Sequence, residues 1–166
     1  MEQPREREIV ELIELLFFAY RDFVSDPDEI LNPLGFGRAH HRIIHFVGRN
    51  PGIRVSELLD ILRITKQSLG RVLRELIETG YVEQREGPRD RRQRLLFLTT
   101  KGEDLRLELM RPQIRRISEA LSVAGEGAEA SYRDVLYQLI NHADRERVFQ
   151  LVSKRASDLE TDKVTT

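Results

Sequence analysis

The 166-residue sequence contains no cysteine, and several kinds of chemistry are excluded with it. Without a thiol there is no disulfide, no thiolate metal site, no cysteine nucleophile and no thiol-based redox sensor. The sequence also lacks a His-Glu-x-x-His motif, a Gly-x-Ser-x-Gly elbow, a Walker loop and a dinucleotide-binding fingerprint. The stretch "GFGRAH" begins like a glycine-rich loop, but it follows a proline-broken loop rather than a strand. We therefore expect a protein that is not an enzyme and that uses no cofactor and no metal.

The first residues of the sequence give no expectation of a signal peptide or a membrane segment. The stretch "MEQPREREIVELIELLFF" carries acidic residues through its apolar run, which is typical of neither a secretory signal nor a membrane span. With 40% hydrophobic and 33% charged residues, the composition is that of a globular chain. We expect a cytoplasmic protein with one domain over residues 1–166.

The net charge of −1 hides an uneven distribution of charged side chains. Residues 1–30 carry nine acidic and three basic side chains, whereas residues 63–94 carry nine basic and five acidic ones. A local excess of positive charge is what a polyanion recognises, so the second segment is the candidate for nucleic-acid binding.

Apolar residues recur at helical spacing on both sides of this basic segment. They predict a helix over residues 5–25, ended by the prolines and glycines of "SDPDEILNPLGFG", and a second helix over residues 38–49. A further helix starts near residue 101 with its apolar residues on one side, and Pro112 should kink it. "AGEGAEAS" breaks that helix, and a last helix is expected from about residue 131 to 156. The apolar side of the helix after residue 101 consists of Leu105, Leu109, Ile114, Ile117 and Leu121.

Two short helices separated by a tight turn are predicted between residues 55 and 78, which is the outline of a helix-turn-helix. Ser56 is a plausible N-cap of the first and Thr65 of the second. In the second helix one face is apolar, and the opposite face is cationic and polar, which suits a recognition helix in a major groove. A solvated amphipathic face would give the same pattern. The polar face consists of Lys66, Gln67, Gly70, Arg71 and Arg74.

A β-hairpin is predicted after Gly80, a natural helix C-cap, from "YVEQRE" and "RLLFLTT" with "GPRDR" as the turn. Its segment "REGPRDRRQR" carries five arginines against two acids. An exposed arginine cluster adds nothing to a core, whereas the narrow minor groove of DNA attracts arginine. The hairpin thus favours DNA binding over a merely solvated helix.

The segment "VSELLDILRITKQSLGRVLRELIETGYVEQREGPRDRRQRLLFLTTKGEDL" resembles the MarR family of winged helix-turn-helix transcriptional regulators, and the resemblance is strong over residues 38–105. It implies a mainly α fold with a small β-hairpin. The winged helix-turn-helix lobe would occupy residues 36–100, and the helices at residues 5–25 and 101–156 would form a dimerisation region. Helices that merely cover their own subunit's core are the alternative.

The resemblance also assigns roles to individual residues. The family's Asp-x-Arg wing motif falls on Asp90 and Arg92, which implies that Arg92 enters the minor groove while Asp90 orients the tip by pairing with a neighbouring base. Gly70 departs from the family, which commonly has Ser, Thr or Asn there. The complete set of expected DNA-binding residues is Ser56, Thr65, Lys66, Gln67, Ser68, Arg71, Arg74, Arg89, Asp90, Arg91 and Arg92.

Family members bind small aromatic or phenolic anions between the dimer helices and the winged lobe. An aromatic pocket with a cation would suit such an effector, although core aromatics and surface histidines explain the same residues. His41 and His45 lie one helical turn apart, a spacing that can hold a metal, but no acid accompanies them and a structural or solvent-facing role is favoured. Protonation of the three clustered histidines can also make the protein pH-sensitive. The candidate effector residues are Phe17, Tyr20, Phe36, His40, His41, Arg42 and His45.

Taken together, the sequence predicts a ligand-responsive repressor that binds a pseudo-palindromic DNA operator as a homodimer. The alternative function is a winged-helix module that binds protein without specific DNA binding. A module for RNA is disfavoured, because the deep and narrow major groove of RNA does not admit a helix.

Overall fold

The computed structural model describes residues 4–153, which form seven α-helices, three short strands and two 3₁₀ turns. The described chain groups into two compact units, residues 4–117 and 118–153. Within these residues, none of the helices is both long and apolar enough to cross a membrane. The elements are α1 (Pro4–Leu31), α2 (Arg38–Arg49), β1 (Ile53–Arg54), α3 (Val55–Leu62), α4 (Lys66–Glu78), β2 (Val82–Glu86), β3 (Arg94–Leu98), α5 (Thr100–Ala124), α6 (Ala128–Leu139) and α7 (Arg145–Ser153).

Helix α1 continues six residues beyond its predicted end at residue 25, so that prediction was wrong. Pro27 lies inside the helix and is fully buried, as is Leu31 one turn later. A proline has no N–H to donate to the carbonyl four residues earlier, which here belongs to Phe23. The side-chain Nε2 of Gln113 donates to that carbonyl instead, at 3.5 Å. The helix therefore continues past Pro27, because Gln113 replaces the missing donor and because Pro27 and Leu31 are buried.

The core of the first unit lies between the helix-turn-helix and the small sheet. The predicted helix over residues 38–49 is confirmed as α2, and the two helices of the helix-turn-helix are α3 and α4. Their apolar faces interlock with residues from β2 and β3, and α5 adds two leucines. The buried members from these elements are Ile43, Ile44, Val47, Leu58, Leu62, Leu69, Val72, Leu73, Leu76, Val82, Leu96, Leu105 and Leu109.

The N-caps of the two central helices differ in how well they were predicted. Thr65 is confirmed as the cap of α4, since its Oγ1 accepts a hydrogen bond from the Ser68 N–H at 3.1 Å. Ser56 is not the cap of α3 and instead is the exposed second residue of that helix. Arg54 occupies the cap position, and its backbone N–H donates to Glu57 Oε2 at 2.9 Å. The Glu57 carboxylate in the first turn thus accepts from the backbone N–H at the cap position, and α3 begins without a serine cap.

The predicted hairpin is confirmed as β2 and β3, with Gln84 opposite Leu96 at its centre. Gly80, with φ of 80°, follows α4 in the left-handed conformation that turns the chain towards β2. Tyr81 was expected in the strand but precedes it, buried at the end of α4. The third strand, β1, was not predicted: it pairs antiparallel with β3, giving the order β1-β3-β2.

The helices after the hairpin differ from the prediction in two respects. Leu105 and Leu109 are buried on α5, but Ile114 is exposed and does not share their side. The break at "AGEGAEAS" is confirmed, whereas the single helix from 131 to 156 is not: α6 ends at Leu139 and α7 starts at Arg145. The guanidinium of Arg145 donates to the carbonyls of Gln138 and Ile140 at 2.7 and 3.0 Å, which satisfies the end of α6. Residues 154–156 lie outside the described residues.

Candidate nucleic-acid interface

One face of α4 packs into the core and the opposite face is exposed. Leu69, Val72 and Leu76 are almost completely buried, and they hold α4 against α2 and β2. The residues predicted for base or phosphate contact all lie at the surface, beginning at the N-terminus of the helix. The exposed residues of this recognition face are Thr65, Lys66, Gln67, Ser68, Gly70, Arg71 and Arg74.

The first turn of the recognition face is held by hydrogen bonds between its own side chains. The Thr65 hydroxyl donates to Ser68 Oγ at 2.9 Å and accepts from the Ser68 N–H. Thr65 and Ser68 therefore fix the start of α4 and set the direction in which Lys66 and Gln67 leave the helix. A Cβ added at Gly70 would meet no atom within 4 Å, so this glycine presents bare backbone at the surface.

Arg71 is joined to a carboxylate that the sequence analysis did not single out. Its Nη1 donates to Glu75 Oε1 at 3.0 Å, one helical turn along α4. The other carboxylate oxygen of Glu75 lies 2.7 Å from Nε2 of His40 on α2. The hydrogen bond with His40 and the charge of Arg71 hold the pKa of Glu75 below its ordinary value. Glu75 is thus an ionised link between a buried histidine and an exposed arginine.

The wing tip between β2 and β3 is a closed loop. The Gly87 N–H donates to the Gln93 carbonyl at 3.0 Å, and the Gln93 N–H donates to the Asp90 carbonyl at 3.0 Å. The side chain of Asp90 accepts from the backbone N–H of Arg92 at 2.9 Å. A Cβ at Gly87 would come within 2.8 Å of the Asp90 carbonyl oxygen, so the loop is tight enough to require glycine there.

The five arginines of the wing divide into two groups. Arg85 on β2 lies over the ring of Phe97, with its guanidinium carbon 4.4 Å from the centroid, and is paired with Glu83. Arg94 on β3 lies opposite Glu86 and pairs with it at 3.4 Å. These two arginines brace the strands. The tip itself presents Arg89, Arg91 and Arg92, all exposed.

Two arginines hold the turn between α3 and α4, one within it and one from α2. Arg63 adopts the left-handed conformation, with φ of 51°, and caps α3 through its N–H to the Leu59 carbonyl at 2.9 Å. Arg42, a candidate effector residue, donates from Nη2 to the Leu62 carbonyl at 2.9 Å and so ties α2 to this turn. Neither role was predicted from the sequence: Arg63 acts through its backbone, and the side chain of Arg42 reaches a carbonyl 20 positions away.

The candidate effector residues lie in different environments. Phe36 and His40 are buried and stacked, with ring centroids 4.4 Å apart, and Tyr81 meets Phe36 edge-on. Phe17 and Tyr20 are exposed on α1. His41 and His45 are half-buried on α2, and burial lowers the pKa of His41 while the charge of Asp28 opposes that effect. Among residues 4–153 there is no cluster of three or more His, Asp or Glu side chains that could hold a metal.

Comparisons with known proteins agree on the kind of protein that has this architecture. The MarR family model matches residues 34–93. The HTH-type transcriptional regulator PetP of Rhodobacter capsulatus is 50% identical over 140 residues, which are 84% of each chain. Streptococcus pneumoniae FabT in complex with DNA has a TM-score of 0.71 at 20% identity, over 79% of this chain and 94% of that one. A SlyA-like transcription regulator from Listeria monocytogenes has a TM-score of 0.65 at 19% identity, over 93% and 96%.

Proposed function

The chain belongs to the MarR family of winged helix-turn-helix transcriptional regulators, and on that premise we propose that it is a DNA-binding regulator that reads duplex DNA with α4 and the β2–β3 wing. The observation that carries the proposal is the pairing of an exposed polar helix face with an exposed arginine tip in one compact unit. The proposal assigns the chain no catalytic activity, and its DNA partner would place it in the cytoplasm.

In this proposal the recognition face enters the major groove. Gln67 suits the donor and acceptor pair of an adenine edge, whereas Lys66 and Arg71 suit guanine edges or phosphates. Arg74 lies one turn further along α4 and would contact the backbone. Ser56, exposed in the first turn of α3, would contact a phosphate from the preceding helix.

The wing would reach the adjacent minor groove, which has an enhanced negative potential where it is narrow. Arg92 is proposed to enter the groove, and Arg89 and Arg91 to contact phosphates on either side. The role of Asp90 follows from its hydrogen bond to the Arg92 amide, which fixes the direction of the chain at the tip. Asp90 is further proposed to orient the tip by pairing with a neighbouring base, as the family resemblance implies.

We also infer that the protein works as a homodimer on two half-sites. A single recognition helix reads only a few base pairs, and a two-fold dimer doubles the site. Helix α1 leaves a continuous apolar surface exposed, with Phe17 68% exposed, and a monomer rarely carries such a patch. The second unit, considered by itself, also exposes apolar side chains. The exposed residues of α1 are Ile9, Val10, Leu12, Ile13, Leu15, Leu16, Phe17, Phe18 and Tyr20, and those of the second unit include Val135, Leu136, Leu139 and Phe149.

The effector proposal is restricted to the candidate residues that are not packed inside the lobe. Phe36 and His40 are buried there and stacked on each other. Arg42 is exposed although it donates to the Leu62 carbonyl, and it would supply the cation of the site. With it, the proposed contacts for a small aromatic anion are Phe17 and Tyr20 at the surface of α1 and half-buried His41 and His45 on α2. Salicylate serves as the probe: if the protein is a ligand-responsive repressor, salicylate should raise the unfolding temperature and weaken operator binding, because it favours a dimer that does not bind DNA.

Selection of bound duplexes from a random DNA pool, followed by a salt titration on the selected sequence, tests the proposal. A DNA-binding dimer should enrich a pseudo-palindrome, and its affinity should fall steeply with added salt because bound phosphates release counterions. The alternative, a winged-helix module that binds only protein, predicts neither enrichment nor salt-dependent DNA binding. An unenriched pool would therefore remove the proposed function.

A further inference from the structure

We propose that His40 is a positioning residue for DNA recognition: acting through Glu75, it fixes the guanidinium of Arg71 on the recognition face. The inference rests on the proposed function of α4 and adds a specificity determinant outside the contact surface. Three side chains on two helices carry it, and His40 and Glu75 are 35 positions apart in the sequence. His40 is 6% exposed, whereas Arg71 is on the surface.

The surroundings of His40 fix which ring nitrogen carries the proton. The backbone N–H of Gly37 donates to Nδ1 at 3.1 Å, so Nδ1 must present its lone pair. The proton of the neutral ring is then on Nε2, which donates to Glu75 Oε2 at 2.7 Å. Phe36 stacks on the imidazole with an angle of 9° between the ring planes and prevents the ring from turning. His40 is therefore an oriented donor aimed at α4.

Glu75 passes this orientation on to Arg71. An ion pair one turn apart on an exposed helix face contributes little by itself, because two long side chains lose rotamer freedom to form it. Here one partner is already anchored: Glu75 Oε2 is held by a buried ring, and Oε1 receives the guanidinium of Arg71 at 3.0 Å. Because the Glu75 side chain is already fixed, only Arg71 loses rotamer freedom when the ion pair forms.

The consequence concerns specificity more than affinity. A guanidinium held in one orientation can match the two acceptors of a guanine edge, whereas a mobile one contacts phosphates of any sequence. The same link keeps the negative charge of Glu75 bound between two donors instead of extended towards phosphates. Releasing the link should lower the preference for the operator over unrelated DNA. Where the Glu75 carboxylate itself is removed, affinity for unrelated DNA should stay unchanged or rise, because a negative charge is lost.

Paired substitutions test this, with affinity measured for the selected operator and for a scrambled duplex of equal length. In His40→Asn the amide oxygen replaces the Nδ1 acceptor and the donor to Glu75 is lost, whereas in His40→Gln the amide nitrogen takes the place of Nε2. We expect His40→Asn and Glu75→Ala to lower the operator-to-scrambled ratio about tenfold, the size of a coupling between contacting residues. His40→Gln should stay within about twofold of the native ratio.

The double mutant separates positioning from structural support. If His40 acts through Arg71, then His40→Asn or Glu75→Ala added to Arg71→Ala should cause no further loss of the ratio. Additive losses would overturn the proposal. It would also be overturned if Arg71→Ala lowers the operator-to-scrambled ratio but Glu75→Ala leaves that ratio at its native value. Glu75 is only half-buried, so Glu75→Ala answers the question even if His40→Asn does not fold. A native protein with no preference for any duplex would instead refute DNA recognition by α4, and this inference with it.

Discussion

The carboxylate of Asp90 accepts a hydrogen bond from the backbone N–H of Arg92 at 2.9 Å, and this bond fixes the geometry of the wing tip. A negative charge within an arginine cluster weakens the attraction of that cluster for phosphates. The Asp90 oxygen nevertheless orders the peptide group that leads into Arg92. The tip therefore presents Arg92 from a closed loop, which lowers the conformational entropy lost when it binds.

Arg92→Ala should lower operator affinity by about 1–3 kcal/mol, because the minor-groove contact of the wing is lost. Size-exclusion and thermal unfolding should show the same oligomeric state and stability as in the native protein, since Arg92 is exposed. Arg133→Ala, which removes an exposed arginine from α6, is the matched control and should bind normally. Equal affinities for Arg92→Ala and the control would remove Arg92 from the interface.

Asp90→Ala should weaken operator binding less than Arg92→Ala, because the tip loses order but keeps its arginines and loses a negative charge. Asp90→Asn keeps an oxygen acceptor for the Arg92 amide and should bind more tightly than Asp90→Ala. Electrophoretic mobility shifts at one salt concentration rank the three variants. If Asp90→Asn and Asp90→Ala bind alike, the hydrogen bond to Arg92 does not position the wing.

Gly70→Ala and Gly102→Ala should move stability in opposite directions. Gly70 lies in the exposed interior of α4 with open space around it, so alanine there should stabilise the fold by about 0.5–1 kcal/mol. A Cβ at Gly102, in the first turn of α5, would collide with the Tyr81 carbonyl oxygen, and we expect a loss of about 1–3 kcal/mol. Urea denaturation measures both changes.

Operator affinity distinguishes these glycines further. Gly70→Ala should bind the operator more weakly in spite of its higher stability, because the methyl group would stand between α4 and the base edges. Undiminished binding by Gly70→Ala would indicate that this part of α4 does not approach the bases.

His41 should make stability fall as the pH is lowered below its ordinary pKa of 6.5. Burial lowers the pKa of His41 in the folded state, so between the folded and unfolded values the unfolded chain binds more protons. The stability present above pH 6.5 is therefore lost progressively until the pH reaches the folded pKa. His41→Gln should remove this slope in urea unfolding, whereas His142→Gln, at an exposed position, should retain it. A slope that survives His41→Gln would contradict the assignment.

The recognition helix and the wing could be predicted from the sequence because their signals are local. Thr65 stands directly before the apolar stripe of α4, and the spacing of Leu69, Val72 and Leu76 alone places Lys66 and Gln67 on the opposite face. The arginine-rich turn contains glycine and proline and lies between two short runs of strand-forming residues, and this pattern predicts a β-hairpin.

The features that sequence analysis missed depend on partners distant in the chain. Strand β1 has two residues and exists because Ile53 pairs with Leu96. Helix α1 passes Pro27 because Gln113 supplies a donor from α5. The link from His40 to Glu75 spans 35 positions, and no periodicity brings those side chains together. Such contacts are set by packing and not by propensity.

Hydroxyl-radical footprinting of the selected operator, with native protein and with Arg92→Ala, tests the central claim most directly. If α4 and the wing bind one duplex together, each half-site should show protection where α4 lies and in the flanking minor groove, with half-sites about one helical turn apart or a multiple of it. Arg92→Ala should lose the flanking protection and keep the central one. Identical footprints for the two proteins, or no protection at all, would contradict the account.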